Sequence, residues 1–70
     1  MYFNKNALLT VLNHRIEKYQ EQLKSIRKNF NKENNQEKIV QLLVIINMLE
    51  ARINELSTIR RLIDDKYFDN

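Results

Sequence analysis

Apolar side chains recur along this chain at alternating steps of three and four residues, in two separate runs. Leu9, Leu12, Ile16, Tyr19, Leu23, Ile26 and Phe30 form the first; Ile39, Leu42, Ile46, Leu49, Ile53 and Leu56 form the second, which Ile63 and Tyr67 continue. This spacing sets each run along one side of a helix as a narrow coiled-coil seam. From Phe30 to Ile39 the count is nine residues, so an unbroken helix would rotate the seam by roughly 200° at about 100° per residue. The chain therefore turns between the runs. The pattern predicts an all-α fold in one domain over residues 1–70: an antiparallel, coiled-coil-like two-helix hairpin.

Local signals predict the boundaries. Asn4 suits an N-cap, with Phe3 and Leu8 at the two positions of a hydrophobic staple, so the first helix is expected over about 5–30. The polar stretch 31–35 is the expected turn, and Asn34 with Glu37 reads as a capping box opening a second helix over about 36–67. Folding back about this turn pairs Ile26 with Ile39, Leu23 with Leu42, Tyr19 with Ile46, Ile16 with Leu49, Leu12 with Ile53 and Leu9 with Leu56. Beyond these layers Lys5 would face Arg60, both lifting their charges to solvent along apolar stems. Tyr2, Phe3, Tyr67 and Phe68 would gather as an aromatic plug at the open end. Asp64 and Asp65 oppose the helix dipole in the final turn, while Arg60 and Arg61 partner them at helical spacing.

The second helix is apolar on more than one face. Val40, Leu43, Val44, Ile45, Met48 and Ala51 lie off its seam, and Ile59 and Leu62 extend the surplus toward the C-terminus. Leu8 and Val11 add to it on the first helix. A hairpin covers only one seam, and leaving such side chains wet forgoes roughly 1.5–3 kcal/mol of burial for each large one. We expect them to form an oligomer or partner interface, with a homodimer making an antiparallel four-helix bundle as the simplest solution.

Size and composition point the same way. Seventy residues in two helices enclose little interior, and the usual staples of small domains are missing: the chain has no Cys and one His, which leaves no disulfide and no His-based zinc site. Gly and Pro are both absent, removing helix breakers and the residues that favour tight β-turns. No basic segment followed by an apolar core and small-residue cleavage site opens the chain. The most apolar stretch, Ile39 to Leu49, is interrupted by Gln41 and Asn47 and falls short of the ~20 residues that cross a bilayer. A soluble cytoplasmic protein without a membrane partner is the expectation. The richness in Asn, Lys and Ile suggests an AT-rich coding sequence, as in low-GC bacteria and their phages.

The net charge of +3 is concentrated in the first helix and the turn. Lys24, Arg27, Lys28, Lys32 and Lys38 cluster near the turn end, where two copies in a dimer could contact a phosphate backbone. Glu33 and Glu37 sit among them, no aromatic is interleaved, and two helices do not hold a helix-turn-helix pattern. The layout resembles the Rop-like plasmid-copy regulators, short hairpins that dimerise into four-helix bundles and bind RNA. It is also similar to short sporulation-regulator hairpins: the chain carries Ile46-Asn47-Met48-Leu49-Glu50 where they carry S-Q-x-L-D, sharing the leucine. Neither resemblance transfers a functional residue.

Nothing in the chain reads as catalytic machinery. His14 with Glu17, Lys18 and Glu21 is the sole acid–base grouping, and it falls on the outer side of the first helix, away from any cleft. Tyr19 belongs to the seam. No Gly-rich phosphate loop, catalytic triad or inward carboxylate pair is present, and no cofactor is implied. The expected function is a small non-enzymatic regulator or inhibitor, of the kind that phages and mobile elements encode, that occupies a partner protein as a hairpin oligomer. A Rop-like nucleic-acid binder and a scaffold subunit of a larger assembly are the alternatives.

Overall fold

A computed structural model describes residues 4–67, with side chains through residue 65. Two long helices fold back on each other: α1 spans Lys5–Lys32 and α2 spans Gln36–Leu62, continued by a π-helical turn over Ile63–Tyr67.

Each boundary has a local cause. Asn4 is extended, and its Oδ1 accepts from the Ala7 amide at 3.2 Å while its carbonyl accepts from Leu8 at 3.0 Å, so the first free amides of α1 are satisfied. At the other end Glu33 breaks the helix by turning extended, at φ −84° and ψ 135°, while its N–H still donates to the Phe30 carbonyl at 3.3 Å. The Glu33 carboxylate then bridges the turn, accepting from the amides of Asn34 at 3.2 Å and Asn35 at 3.1 Å. Asn35 Oδ1 accepts from Glu37 N at 2.9 Å and Lys38 N at 3.3 Å, opening α2. No described residue has a positive φ. A chain without glycine thus reverses direction with Glu33 and Asn35 both extended, Asn35 also serving as the cap.

Two expectations are corrected here. The cap of α2 is Asn35 rather than Asn34, because Glu33 holds the Asn34 amide inside the turn and leaves the next side chain facing the free helix end. α1 runs to Lys32, two residues past its expected end at about 30.

The end of the second helix also differs from a plain α-helix to residue 67. The Ile63 N–H is shared between the Ile59 and Arg60 carbonyls, and the backbone widens into the π turn. Ile63 is buried there, at the open end of the hairpin. Of the expected aromatic plug, Tyr2, Phe3, Phe68 and the side chain of Tyr67 lie outside the described residues.

The seams form the core, in a register shifted along α2 from the expected one. Leu23, Ile46 and Leu49 make a buried cluster, and Tyr19, Ile26, Phe30 and Ile53 pack against it. Phe30 therefore joins a layer instead of ending beyond the last one. Polar ties are displaced in the same direction along the whole length: Arg27 lies 3.5 Å from Glu50, Arg60 donates to Asn13 at 2.7 Å, and Lys5 lies 3.4 Å from Asp64. Each partner on α2 is four or more residues further along than the expected pairing gives. The expected juxtaposition of Lys5 with Arg60 does not occur; each cation has a polar partner of its own. A slip along a repeat of alternating threes and fours keeps the two seams facing each other, so the shift changes which layers meet without exposing the seam.

The result is a thin rod of 53 × 17 × 15 Å. Its radius of gyration is 16.0 Å, against about 11 Å for a compact globule of this length. The interior is correspondingly shallow: Ile16, at 4% exposure, is the best-buried of the core residues Leu12, Ile16, Leu23, Ile46, Leu49 and Ile63.

Candidate protein-binding surface

α2 differs from α1 in having two apolar faces. On α1 the side opposite the seam carries His14, Glu17, Glu21, Lys28 and Lys32, all exposed, so α1 is an ordinary amphipathic surface helix. On α2 the seam Leu42, Ile46, Leu49 and Ile53 points toward α1, while Val40, Val44, Met48 and Ala51 lie about 160° away at 100° per residue. These outer side chains are open to water: Val40 is 60% exposed, Val44 53% and Met48 56%. Leu43 and Ile45 flank them and are exposed as well. A helix apolar on all sides is normally enclosed on all sides.

The run has definite ends. Glu37 bounds it toward the turn and Glu55 toward the C-terminus, both exposed. Ile59 resumes the apolar character beyond Glu55 and is exposed, whereas Leu62 is half-buried by the hairpin itself. Of the expected interface residues, Val40, Val44, Met48 and Ala51 form one stripe with Leu43 beside it, whereas Ile45 lies nearer the seam and lines a hollow with Lys32 and Glu33 of the first helix and turn. Ile59 belongs to a second, smaller patch and Leu62 is partly withdrawn. Val11 on α1 is also exposed, at 52%.

The basic cluster of the turn end is divided rather than assembled. Lys24, Arg27 and Lys28 line a groove of about 540 Å³ between the helices, floored by Leu23 and Ile53 and closed on the far side by Glu50 and Asn54. Arg27 spends its charge on Glu50 across this groove. Lys32 and Lys38 line a different hollow, with Glu33, Gln41 and Ile45. A carboxylate stands among the cations in each hollow, Glu50 in one and Glu33 in the other, which is a poor match to one phosphate backbone.

His14, Glu17, Lys18 and Glu21 are exposed along α1. Among the described residues no three His, Asp or Glu side chains gather closely enough to hold a metal ion. No helix among them is long and apolar enough to cross a membrane. Comparison of the chain with protein-family models, curated proteins and solved structures finds no match. The layout likeness to Rop-like and sporulation-regulator hairpins accordingly gains nothing from those comparisons.

Proposed function

We propose that the protein is a non-enzymatic helical-hairpin regulator or inhibitor that occupies a partner protein as a homo-oligomer, with the outer face of α2 as its helix-contact surface. The observation that carries this reading is the exposed run of Val40, Leu43, Val44, Met48 and Ala51 on the side of α2 facing away from its own partner helix. Side chains of this kind gain roughly 1.5–3 kcal/mol each on full burial, and the hairpin itself cannot cover them. Helix-in-groove recognition uses this i, i+3, i+4, i+7 arrangement of apolar anchors.

The test is affinity capture of the tagged protein in its native host beside a Val44→Asp variant of equal helicity. A partner held by the parent and lost by the variant supports the reading; equal capture by both places the contact elsewhere. The nucleic-acid alternative draws on the basic groove, but the division of its cations and the Arg27–Glu50 pair count against it.

A further inference from the structure

The occupant of the outer α2 face can be named. Resting on the reading of that face as a contact surface, we propose that it pairs with its own copy, antiparallel, about a twofold axis passing beside Val44. In that arrangement Glu37 of each chain meets Arg52 of the other.

Three features of the face support this. Its apolar run of Val40, Val44, Met48 and Ala51 is exposed along its whole length, so two copies laid face to face cover the same stripe on each other. A surface that is its own complement is what a twofold axis requires. Charge then selects the register. Glu37 and Arg52 are exposed; at 100° per residue Glu37 falls close to the line of the stripe and Arg52 beside it, both displaced to the same side of its centre, and the twofold axis of an antiparallel pair sets like sides against each other. Measured from Val44, Glu37 is seven residues toward the turn and Arg52 eight residues away from it, so the opposed pair is level to within about 1.5 Å along the axis. Val40 and Met48, each four residues from Val44, then face each other.

The neighbouring registers are worse. Moving the axis to the level of Ile46 sets Glu37 against Glu55 of the other chain, two carboxylates at each end of the interface. Moving it half a heptad from Val44 sets Glu55 on Val40 and Arg52 on Leu43. Only the Val44 axis keeps the apolar run against itself and matches opposite charges at both ends.

Geometry also fixes the assembly. Because the outer face lies about 160° from the seam at 100° per residue, the pair forms a flat row, α1, α2, α2 and α1, with both α2 helices enclosed. A square bundle would instead bring each α1 beside the other copy.

The chain has no cysteine, so single introduced thiols report proximity without background. Under mild oxidation Val44→Cys is expected to crosslink to itself in high yield. Val40→Cys and Met48→Cys are expected to crosslink when mixed and to do so poorly alone. Glu17→Cys, on the far side of α1, is expected to stay uncrosslinked. Separately, Glu37→Lys and Arg52→Glu should each weaken self-association about tenfold, and an equimolar mixture of the two should associate as a heterodimer with affinity close to the parent's.

A dimer in which Val44→Cys fails to crosslink, or in which the mixed charge variants do not recover, overturns the proposed axis. A parent protein that stays monomeric overturns self-pairing while leaving capture of another protein to be judged by the Val44→Asp comparison. A dimer untouched by Val44→Asp removes the contact surface itself, and this proposal with it.

Discussion

Arg60 donates through Nη1 to Asn13 Oδ1 at 2.7 Å, tying α2 to α1 across 47 residues of chain. Together with the Lys5–Asp64 and Arg27–Glu50 pairs it fixes how far the second helix slides along the first. These ties sit at the exposed edges, so they act as markers of register more than as sources of stability. The core carries the same displacement, with Phe30 packed onto the Leu23, Ile46 and Leu49 cluster.

The register is testable by nuclear Overhauser effects. Cross-peaks from the Phe30 ring to the methyl groups of Ile46 are expected. A contact set linking Ile26 to Ile39 and leaving Phe30 without a partner on α2 would contradict it.

Loss of the polar ties should cost little. Asp64→Ala removes the partner of a Lys5 whose side chain is 31% exposed, its own being 60% exposed, and is expected to lower stability by less than about 1 kcal/mol. Ile16→Ala, by contrast, empties a buried site and is expected to cost about 2–5 kcal/mol, enough to unfold most of a domain this small. Urea titrations of the two variants, monitored by circular dichroism, distinguish the contributions.

The caps give a sharper contrast. Asn35 accepts two amide hydrogen bonds at the start of α2, and Asn35→Ala is expected to destabilise the fold by about 1 kcal/mol. Asn34 contributes its amide to the turn and is exposed; Asn34→Ala should leave the denaturation midpoint nearly unchanged. Equal effects at the two positions would contradict the assigned cap.

Where the hairpin was legible in the residues, it was because periodicity and burial say the same thing. The two seams, the turn between them, the Asn4 cap and the exposure of Val40, Val44 and Met48 all follow from which positions are apolar. The register was not legible, because a seam of alternating threes and fours matches its partner again after a slip along it. Choosing between the two alignments takes the length of α1 and the shape of the turn, and those depend on the Glu33 carboxylate binding two successive amides. The same bonds explain why Asn34 and Asn35, identical in chemistry, have different tasks. The π turn at Ile63 left no composition signal, since the chain has neither glycine nor proline there. On the outer face, Leu62 looked equivalent to Ile59 by spacing but is half-buried in the hairpin. Glu37 and Arg52 gain significance only once the face is seen as a stripe with two charged ends.

The divided basic residues lead to a prediction about salt. With Lys24, Arg27 and Lys28 in one groove and Lys32 and Lys38 in another, a mobility shift series with RNA or DNA is expected to show only weak binding with a shallow dependence on log salt. A tight complex whose affinity falls steeply, with a slope near −0.9 per neutralised phosphate of duplex DNA, would restore the nucleic-acid reading.

If two copies share their outer faces, stability depends on protein concentration. The melting temperature of the parent is expected to rise with each tenfold increase in concentration, and that of Val44→Asp to stay constant. A parent melting temperature that does not move would show a hairpin folding without a neighbour.

The most direct measurement is sedimentation of the parent chain through a micromolar dilution series, with helicity followed on the same samples. The account predicts a species of twice 8.5 kDa that dissociates on dilution together with loss of helix, and a shift of that dissociation to higher concentration in Val44→Asp. A fully helical particle of 8.5 kDa at every concentration would contradict it.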